Sequence, residues 1–155
     1  MMTNEKSIDN RSGADAAPNY SQLVRSAFEA RKNAYAPYSR FMVGAALLTK
    51  EGEVYAGCNI ENAAYSPTNC AERTAFFHAV SKGLRQFRAI AVVGGMEGVN
   101  DGEFEYVFPC GVCRQVMAEF CAGDFVILTA KSPSDYQLHT LQDLLPEAFG
   151  PGNLL

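Results

Sequence analysis

The chain has 155 residues, 48% of them hydrophobic, and seventeen acidic against thirteen basic side chains give a net charge of −4. This length and apolar content suit a single folded domain and exclude a wholly disordered chain. The lack of a Lys/Arg cluster argues against a nucleic-acid partner. No apolar run reaches the ~20 residues of a membrane span and the first residues lack the apolar core of a signal peptide, so we expect a cytoplasmic protein without a membrane partner.

Hydrophobic periodicity and turn residues divide the chain into alternating helices and strands. Residues 1–18 are small and polar without periodicity, which predicts a flexible tail before one domain over 19–155. Helices are predicted at 21–35, 70–82, 112–120 and 141–145, and strands at 41–49, 54–60, 88–93, 125–130 and 136–139, with a loop over 94–103. The run at 41–49 is almost continuously apolar, which is typical of a strand buried on both faces. This order predicts an α/β fold, a three-layer α-β-α sandwich with a mixed sheet of about five strands.

Cysteine usage is the most informative feature of the composition. The chain has five cysteines, an odd number, and without an export signal they argue against a disulfide framework. Cys110 and Cys113 form a C-x-x-C pair, and Cys70 stands alone well upstream. We interpret Cys58 and Cys121 as buried small hydrophobes, the ordinary role of a free cysteine.

The other three cysteines lie at the predicted starts of two helices. Unpaired N–H groups and the helix dipole favour the thiolate there, and the thiolate is the form of cysteine that binds metals. Soft thiolates select zinc, and three protein ligands plus a water describe a catalytic zinc site. A closed structural site needs a fourth ligand, and none of the remaining candidates has the short spacing to Cys70 that such sites use. Those candidates are Cys58, Cys121, His78 and His139.

Charged residues accompany the cysteines at both helix starts. Glu72 can act as a carboxylate beside the metal, although with Asn69 it also matches a capping box, in which it would only bond the backbone. Arg73 and Arg114 directly follow the motif residues. Three thiolates with one Zn²⁺ sum to a charge of −1, so we expect these arginines to donate hydrogen bonds to the sulfurs. The alternative for both is an ordinary position on the helix surface.

At these residues the sequence resembles the zinc nucleoside deaminases, and specifically the small homotetrameric cytidine deaminases. The similarity runs over about residues 20–149, nearly the whole chain outside its N-terminal tail. The matching segments are C-A-E at 70–72, P-C-x-x-C-R-Q at 109–115, A-P-Y-S at 36–39 and G-C-N-I-E-N at 57–62. The resemblance implies a cytidine deaminase-like fold and one Zn²⁺ per subunit, held by Cys70, Cys110 and Cys113.

The resemblance also implies the reaction. Members of this family are hydrolases that convert cytidine and 2′-deoxycytidine to uridine and 2′-deoxyuridine with release of ammonia, a step of pyrimidine salvage. Zinc lowers the pKa of its bound water to about 7, and the resulting hydroxide attacks C4 of the base. Glu72, which is not a ligand, is the expected catalytic residue and moves a proton from the water to N3 and then to the leaving amine.

Substrate contacts are implied by the same resemblance. Asn59 and Glu61 match the pair that hydrogen-bonds the ribose 3′-hydroxyl, and Phe41 matches the aromatic residue beside the pyrimidine. The backbone N–H groups of Ala71 and Glu72 are expected donors to the pyrimidine O2, because they are unpaired at a helix start. Without the motif, Asn59 and Glu61 are polar residues at a strand end, and Phe41 is a core residue.

Two further phenylalanines carry expectations from the resemblance. Phe149 resembles the phenylalanine that reaches into a neighbouring subunit's site, which implies a homotetramer with sites completed by neighbouring subunits. Its alternative is a terminal hydrophobe that covers the core of its own chain. Phe108 stands before Pro109 where the family more usually has a small hydroxyl residue. The family uses the backbone carbonyl at that position to hold the exocyclic amine.

Other functions share parts of this pattern. A blasticidin-type aminopyrimidine deaminase shares C-A-E and P-C-x-x-C, but we expect it to lack the Asn59-x-Glu61 pair. A polynucleotide-editing deaminase needs a basic channel and aromatic platforms, which argues against it for a chain of net charge −4 without Lys/Arg clusters. A zinc-stabilised binding module is the non-enzymatic alternative.

Overall fold

The computed structural model describes residues 17–155, so the predicted tail over 1–18 falls almost entirely outside the described residues. The helices are α1 (Tyr20–Arg31), α2 (Ala71–Ser81), α3 (Gly111–Phe120) and α4 (Leu141–Leu144), followed by a 3-10 turn at Pro151–Asn153. The strands are β1 (Phe41–Thr49), β2 (Val54–Cys58), β3 (Phe87–Met96), β4 (Val126–Ser132) and β5 (Asp135–Thr140). Every predicted helix and strand is present, in the predicted order. Among residues 17–155, no helix has the length and apolar character needed to cross a membrane.

The five strands form one mixed sheet in the order β2-β1-β3-β4-β5. β3 and β4 run parallel, with Ile90 opposite Ile127, and the other three pairs are antiparallel. A parallel pair needs a crossover connection, and α3 lies in the segment that joins β3 to β4. The predicted mixed sheet is confirmed.

Helices cover both faces of this sheet. On one face, Val24 of α1 packs in a buried cluster with small strand residues such as Ala46. On the other face, Phe76 of α2 and Met117 of α3 are fully buried in a cluster with Ile90. Neighbouring residues of β1 enter opposite clusters, as expected for a strand buried on both faces. The three-layer α-β-α sandwich is therefore confirmed.

Two element ends differ from the sequence prediction by three residues or more, because backbone groups that are distant in the sequence form hydrogen bonds with these segments. α1 ends at Arg31 and not at residue 35, since Tyr35 pairs its own N–H and C=O groups with the backbone of residues 59–61. β3 continues to Met96, beyond the predicted end at 93, since it pairs with the whole length of β1. Contacts of this kind join segments far apart in the sequence, so local periodicity does not report them.

Close packing between α2 and β2 positions the start of α2. Gly57 of β2 lies so near the helix that a Cβ atom there would come within 2.6 Å of the Ala71 carbonyl oxygen. Only a residue without a side chain permits this approach. The loop after β3 then returns the chain so that the start of α3 lies beside the start of α2, with the Cys70 and Cys110 sulfurs 3.8 Å apart.

Candidate active site

Two cysteines occupy equivalent positions at the starts of α2 and α3. Cys70 and Cys110 are the N-cap residues, with extended φ/ψ values of −73°/156° and −67°/166°. Their carbonyl oxygens accept hydrogen bonds at 3.0 Å from the N–H groups of Thr74 and Arg114. Neither cysteine side chain caps its helix, so both sulfurs are available to other partners.

Three sulfurs converge between these helix starts. The Cys110 Sγ atom lies 3.8 Å from that of Cys70 and 3.5 Å from that of Cys113, and all three atoms fall within 4.8 Å of one another. Tetrahedral zinc with Zn–S bonds of about 2.3 Å separates its sulfur ligands by about 3.8 Å, so this spacing fits zinc. Cys113 is buried and Cys110 is exposed, so solvent reaches the cluster from the Cys110 side.

The remaining cysteines and both histidines lie outside this cluster. Burial raises the pKa of Cys58 and raises that of Cys121 to about 12, as expected for unreactive thiols. His78 packs edge-on against a tyrosine ring of β2, and His139 lies in β5. Within residues 17–155, the group of side chains able to hold a metal contains the three sulfurs and no fourth ligand.

Arg73 lies next to the sulfurs. Its Nη2 atom donates to the Cys70 Sγ atom at 3.6 Å and to the Thr68 carbonyl oxygen at 3.3 Å, while its buried Nε atom has no hydrogen-bond partner among the described residues. A hydrogen bond from the Cys113 thiol, reinforced by Arg73, lowers the pKa of Cys70 to about 5 against the opposing effect of burial. Cys70 is therefore a thiolate at neutral pH, the form that binds metal.

Arg114, the corresponding arginine of α3, contacts backbone oxygens. Its Nε atom donates to the Pro109 carbonyl oxygen at 2.7 Å and its Nη1 atom to the Leu144 carbonyl oxygen at 2.6 Å. This differs from the predicted hydrogen bond to a sulfur, because the two carbonyl oxygens lie within reach and occupy the guanidinium. Arg114 thus ties the residue before Cys110 to the end of α4.

Glu72, the second residue of α2, is a buried carboxyl group with 4% of its surface exposed. Burial raises its pKa to about 7, and the neighbouring Cys70 thiolate acts in the same direction. The capping-box interpretation of Glu72 is wrong, because Cys70 is the N-cap and the Asn69 amide donates to the Thr74 hydroxyl at 3.0 Å. A carboxyl group with a pKa near neutrality can both accept and donate a proton at pH 7.

A cavity of about 200 Å³ adjoins the sulfurs and Glu72. Its wall consists of Val43, Asn59, Thr68, Asn69, Cys70, Ala71, Glu72, Val107, Phe108 and Cys110. Val43, Thr68 and Val107 are wall residues that the sequence did not predict. Val43 and Thr68 lie in an ordinary strand and loop, and the one available signal was the nearness of Val107 to the motif at 109–115.

Phe41 lies at the start of β1, beside the cavity and not in its wall. Its Cε1 atom and the Cγ2 atom of Val107 each lie 3.1 Å from the position that a Cβ atom on Gly94 would occupy. The half-buried Phe41 ring therefore neighbours Val107, which belongs to the wall. A side chain larger than hydrogen at Gly94 would push both residues aside.

The Asn59 side chain holds its part of the wall against β1. Its Oδ1 atom accepts a hydrogen bond from the Val43 N–H group at 2.8 Å, and its Nδ2 atom donates to the Phe41 carbonyl oxygen at 2.8 Å. These bonds continue the contact between the two segments beyond Cys58, where β2 ends. Asn59 is thereby fixed at the edge of the cavity.

A second cavity of about 380 Å³ adjoins the first at Thr68, which lines both. Glu61 lines this second cavity with Tyr38, Ser39 and Tyr65. The Glu61 carboxylate accepts hydrogen bonds from the Tyr38 and Ser39 N–H groups at 2.9 and 3.1 Å and from the Ser39 hydroxyl. The Ser39 hydroxyl, with the two N–H groups, lowers the pKa of Glu61. Glu61 is therefore a fixed, ionised acceptor next to the smaller cavity, the one that adjoins the sulfurs.

Phe149 is separate from the cavity wall of its own chain. Phe149 as a whole residue is 59% exposed, and its carbonyl oxygen accepts a hydrogen bond from the Gln115 amide at 2.8 Å. This exposure argues against the interpretation that Phe149 covers the core. The ring is available for contact with another molecule.

Comparison with known proteins places these features in a family. The family model of the cytidine and deoxycytidylate deaminase zinc-binding region matches residues 18–129. A cytidine deaminase of Sporosarcina psychrophila is 52% identical over 133 residues, which cover 86% of this chain and 93% of that protein. A cytidine deaminase of Halalkalibacterium halodurans is 52% identical over 127 residues, which cover 82% of this chain and 91% of that protein.

Solved structures show the same similarity. The crystal structure of cytidine deaminase from Burkholderia pseudomallei matches with a TM-score of 0.73 at 47% identity, covering 83% of this chain and 97% of that one. The crystal structure of cytidine deaminase from Mycobacterium tuberculosis matches with a TM-score of 0.73 at 38% identity, covering 86% of this chain and 99% of that one. On the strength of these matches over most of its length, the chain belongs to the cytidine and deoxycytidylate deaminase family.

Proposed function

We propose that this protein is a zinc-dependent hydrolase that converts cytidine and 2′-deoxycytidine to uridine and 2′-deoxyuridine with release of ammonia. The observation that carries the proposal is the triangle of Cys70, Cys110 and Cys113 sulfurs beside the buried carboxyl group of Glu72. These three thiolates would hold one zinc ion per subunit and would leave its fourth ligand position open to water. A catalytic zinc site needs that position, whereas a structural site closes it with a fourth protein ligand.

The proposed chemistry assigns proton transfer to Glu72. A zinc ion held by the thiolates would lower the pKa of water to about 7 and would so supply a nucleophile for C4 of the base at neutral pH. Glu72 takes a proton from the water and gives it to N3 of the base. It then takes the second proton from the oxygen added to C4 and gives it to the amine, which leaves as ammonia. The pKa of Glu72, about 7, suits transfer in both directions.

The two adjoining cavities suit the two halves of a nucleoside. The base occupies the smaller cavity with C4 toward the sulfurs and O2 toward the Ala71 N–H group at the start of α2. The ribose lies in the larger cavity, where its 3′-hydroxyl donates to Glu61, an acceptor already fixed in place by three hydrogen bonds. Asn59 binds the same hydroxyl from the edge of the smaller cavity. Phe41, which lies near the wall residue Val107, is the aromatic residue beside the pyrimidine.

Assembly and cellular role follow from the same proposal. Phe149 is 59% exposed, and Phe77 of α2 and Val112 of α3 are 47% and 58% exposed. We place these apolar groups in subunit contacts of a homotetramer, where Phe149 completes the site of a neighbouring subunit. Because the substrate is a free nucleoside, we place the reaction in cytoplasmic pyrimidine salvage.

An activity screen with metal analysis tests the proposed function. Zinc-loaded protein is assayed for ammonia release from cytidine, 2′-deoxycytidine, cytosine, blasticidin and adenosine, and its zinc content is measured on the same preparation. We expect turnover of cytidine and 2′-deoxycytidine. Turnover of blasticidin alone would indicate a different aminopyrimidine deaminase, and bound zinc without turnover of any compound would leave a binding module.

The oligomeric state has its own test. Sedimentation of the active protein should show four subunits, and dilution below the association range should reduce activity as neighbouring Phe149 side chains leave the sites. A fully active monomer would contradict the proposed assembly without affecting the proposed chemistry.

A further inference from the structure

The smaller cavity, the one that adjoins the three sulfurs, has an aromatic residue in its wall that the proposed reaction does not use. Phe108 lines this cavity beside Val107 and Cys110, and 44% of its side chain is exposed. Phe108 therefore contributes little to the packed interior. Apolar side chains in the wall of a ligand cavity determine which shapes fit there.

Phe108 lies at the reacting end of the cavity. It stands two residues before Cys110, whose sulfur belongs to the cluster beside which C4 of the base must lie. Thr68 lines both this cavity and the larger one, where the ribose is proposed to lie, whereas Phe108 lines only the smaller cavity. A base that lies in the smaller cavity with C4 toward the sulfurs would thus meet Phe108 on its C4–C5 side, away from the ribose.

His139 of β5 supports the Phe108 ring from the sheet. The two ring centroids lie 5.2 Å apart, with an angle of 60° between the ring planes. The backbone of His139 is fixed opposite Ile127 in the β4–β5 pair, and its Nε2 atom lies 3.3 Å from the hydroxyl of the fully buried Thr129. A ring held on a strand and by a buried hydroxyl is a rigid support for its neighbour.

Residues on both sides of Phe108 are also held by hydrogen bonds, Pro109 through its backbone and Tyr106 through its side chain. The carbonyl oxygen of Pro109 accepts a hydrogen bond from Arg114 at 2.7 Å, and the Tyr106 hydroxyl donates to the carboxylate of Asp135 at the start of β5. These two anchors limit movement of the loop, so the ring stays in the wall when a base enters.

We propose that Phe108 is a specificity-determining residue that excludes cytosine nucleosides with a substituent at C5, and that His139 is the positioning residue that holds its ring there. Phe108 lines the smaller of the two adjoining cavities, about 200 Å³ against about 380 Å³, so its ring helps to set the space beside the base. The proposal rests on the deaminase function proposed above.

The test compares 5-methylcytidine with cytidine in the zinc-loaded enzyme. The measured quantity is the ratio of kcat/KM for cytidine to that for 5-methylcytidine, which does not depend on the active fraction of a preparation. We expect Phe108→Ala to lower this ratio about tenfold, because one methyl group in an apolar pocket changes discrimination by about that factor or more. His139→Ala should lower it about threefold, since the ring is kept but loses its support. His139→Phe, which restores an aromatic support, should return the ratio toward the wild-type value.

Two controls separate this effect from general damage. The ratio for 2′-deoxycytidine over cytidine should stay unchanged in every variant, because these substrates differ only at the sugar. His78→Ala, which removes the other histidine ring from a site on α2 outside the cavity wall, should leave both ratios unchanged. Binding of uridine and 5-methyluridine, measured by calorimetry, gives the same comparison without turnover.

The outcomes distinguish this inference from the proposed function. If the wild type deaminates cytidine but Phe108→Ala leaves both the kinetic and the binding ratio unchanged, the role of Phe108 is overturned. A change with Phe108→Ala but none with His139→Ala overturns the positioning role of His139. A wild type that neither binds nor converts any of these nucleosides overturns the proposed function and this inference together.

Discussion

α2 and α3 both begin with a cysteine N-cap in extended conformation, yet their first turns carry different groups. The first turn of α2 holds one sulfur, from Cys70, and the buried carboxyl group of Glu72. The first turn of α3 holds two sulfurs, from Cys110 and Cys113, and no acidic residue. The two helices can thus share the metal, whereas proton transfer is available only at α2.

The arginines that follow the motif residues of the two helices also differ, in their hydrogen-bond partners. Arg73 donates to the Cys70 sulfur and favours its thiolate form. Arg114 donates to the carbonyl oxygens of Pro109 and Leu144 and holds the backbone that leads into α3. We infer that Arg73 acts on the charge of the site and that Arg114 acts on its shape.

Glu72→Gln is the substitution that tests the difference between α2 and α3 with the largest expected effect. Glutamine keeps the size of the side chain but cannot carry the proton, so we expect kcat for cytidine to fall by about 10²- to 10⁴-fold. Zinc content should stay at the wild-type level, because Glu72 is not among the three sulfur ligands. Elemental analysis and steady-state kinetics on one preparation measure both quantities.

Cys113→Ser is the matched contrast on α3. This change removes a buried ligand, so zinc and activity should be lost together. Cys58→Ser, at a half-buried cysteine outside the cluster, should lose neither. The proposed division between the helices would be contradicted if Glu72→Gln released the zinc, or if it kept more than about a tenth of wild-type kcat.

The buried carboxyl group of Glu72 also predicts a pH-dependent stability. Its pKa is raised from 4.5 to about 7, so zinc-depleted folded protein keeps a proton that the unfolded chain releases as pH rises through this interval. Stability therefore falls between pH 4.5 and 7, by about 3 kcal/mol for this group, and Glu72→Gln removes that loss. Urea unfolding should show similar stabilities near pH 4.5 and a more stable variant at pH 8.

An exposed glutamate serves as the control for that experiment. Glu51→Gln, in the exposed turn between β1 and β2, should leave the pH profile of stability unchanged. Parallel profiles for wild type and Glu72→Gln would show that the folded protein does not hold the Glu72 proton above pH 4.5.

Substitution of the two arginines has the smallest expected effects, and these effects distinguish the roles of Arg73 and Arg114. Arg73→Gln removes a donor to the Cys70 sulfur, so the pKa of that thiol rises and zinc affinity should fall about 10- to 100-fold. Arg114→Gln should cost about 1 to 3 kcal/mol of stability through its lost backbone hydrogen bonds, with a smaller change in zinc affinity. Chelator competition and urea unfolding measure the two effects. The reverse ranking in both measurements would contradict the assignment.

The sequence identified the sulfurs and Glu72 as one group because both motifs are short and each occupies a single helix start. The element order was predictable for a similar reason, since periodicity and turn residues are local features. The wall residues Val43 and Thr68 were not predictable, because their role comes from the way β1 and a loop meet α2. Asn69 matches a helix cap in the sequence, although in the structure its amide donates to the Thr74 hydroxyl.

Contacts between distant segments explain the remaining differences. The sequence places Arg114 one residue after Cys113, but the Leu144 carbonyl that it bonds lies in α4, which only the fold brings near. The end of α1 is likewise set by pairing of Tyr35 with residues 59–61. Local sequence determines which groups are present at the site, and long-range packing determines which partners they meet.

X-ray absorption at the zinc edge tests the three-sulfur centre most directly. We expect one zinc per subunit with three sulfur neighbours at about 2.3 Å and a single oxygen or nitrogen neighbour at about 2.0 Å. A fourth sulfur neighbour, or protein that holds no zinc when produced with the metal supplied, would contradict the account.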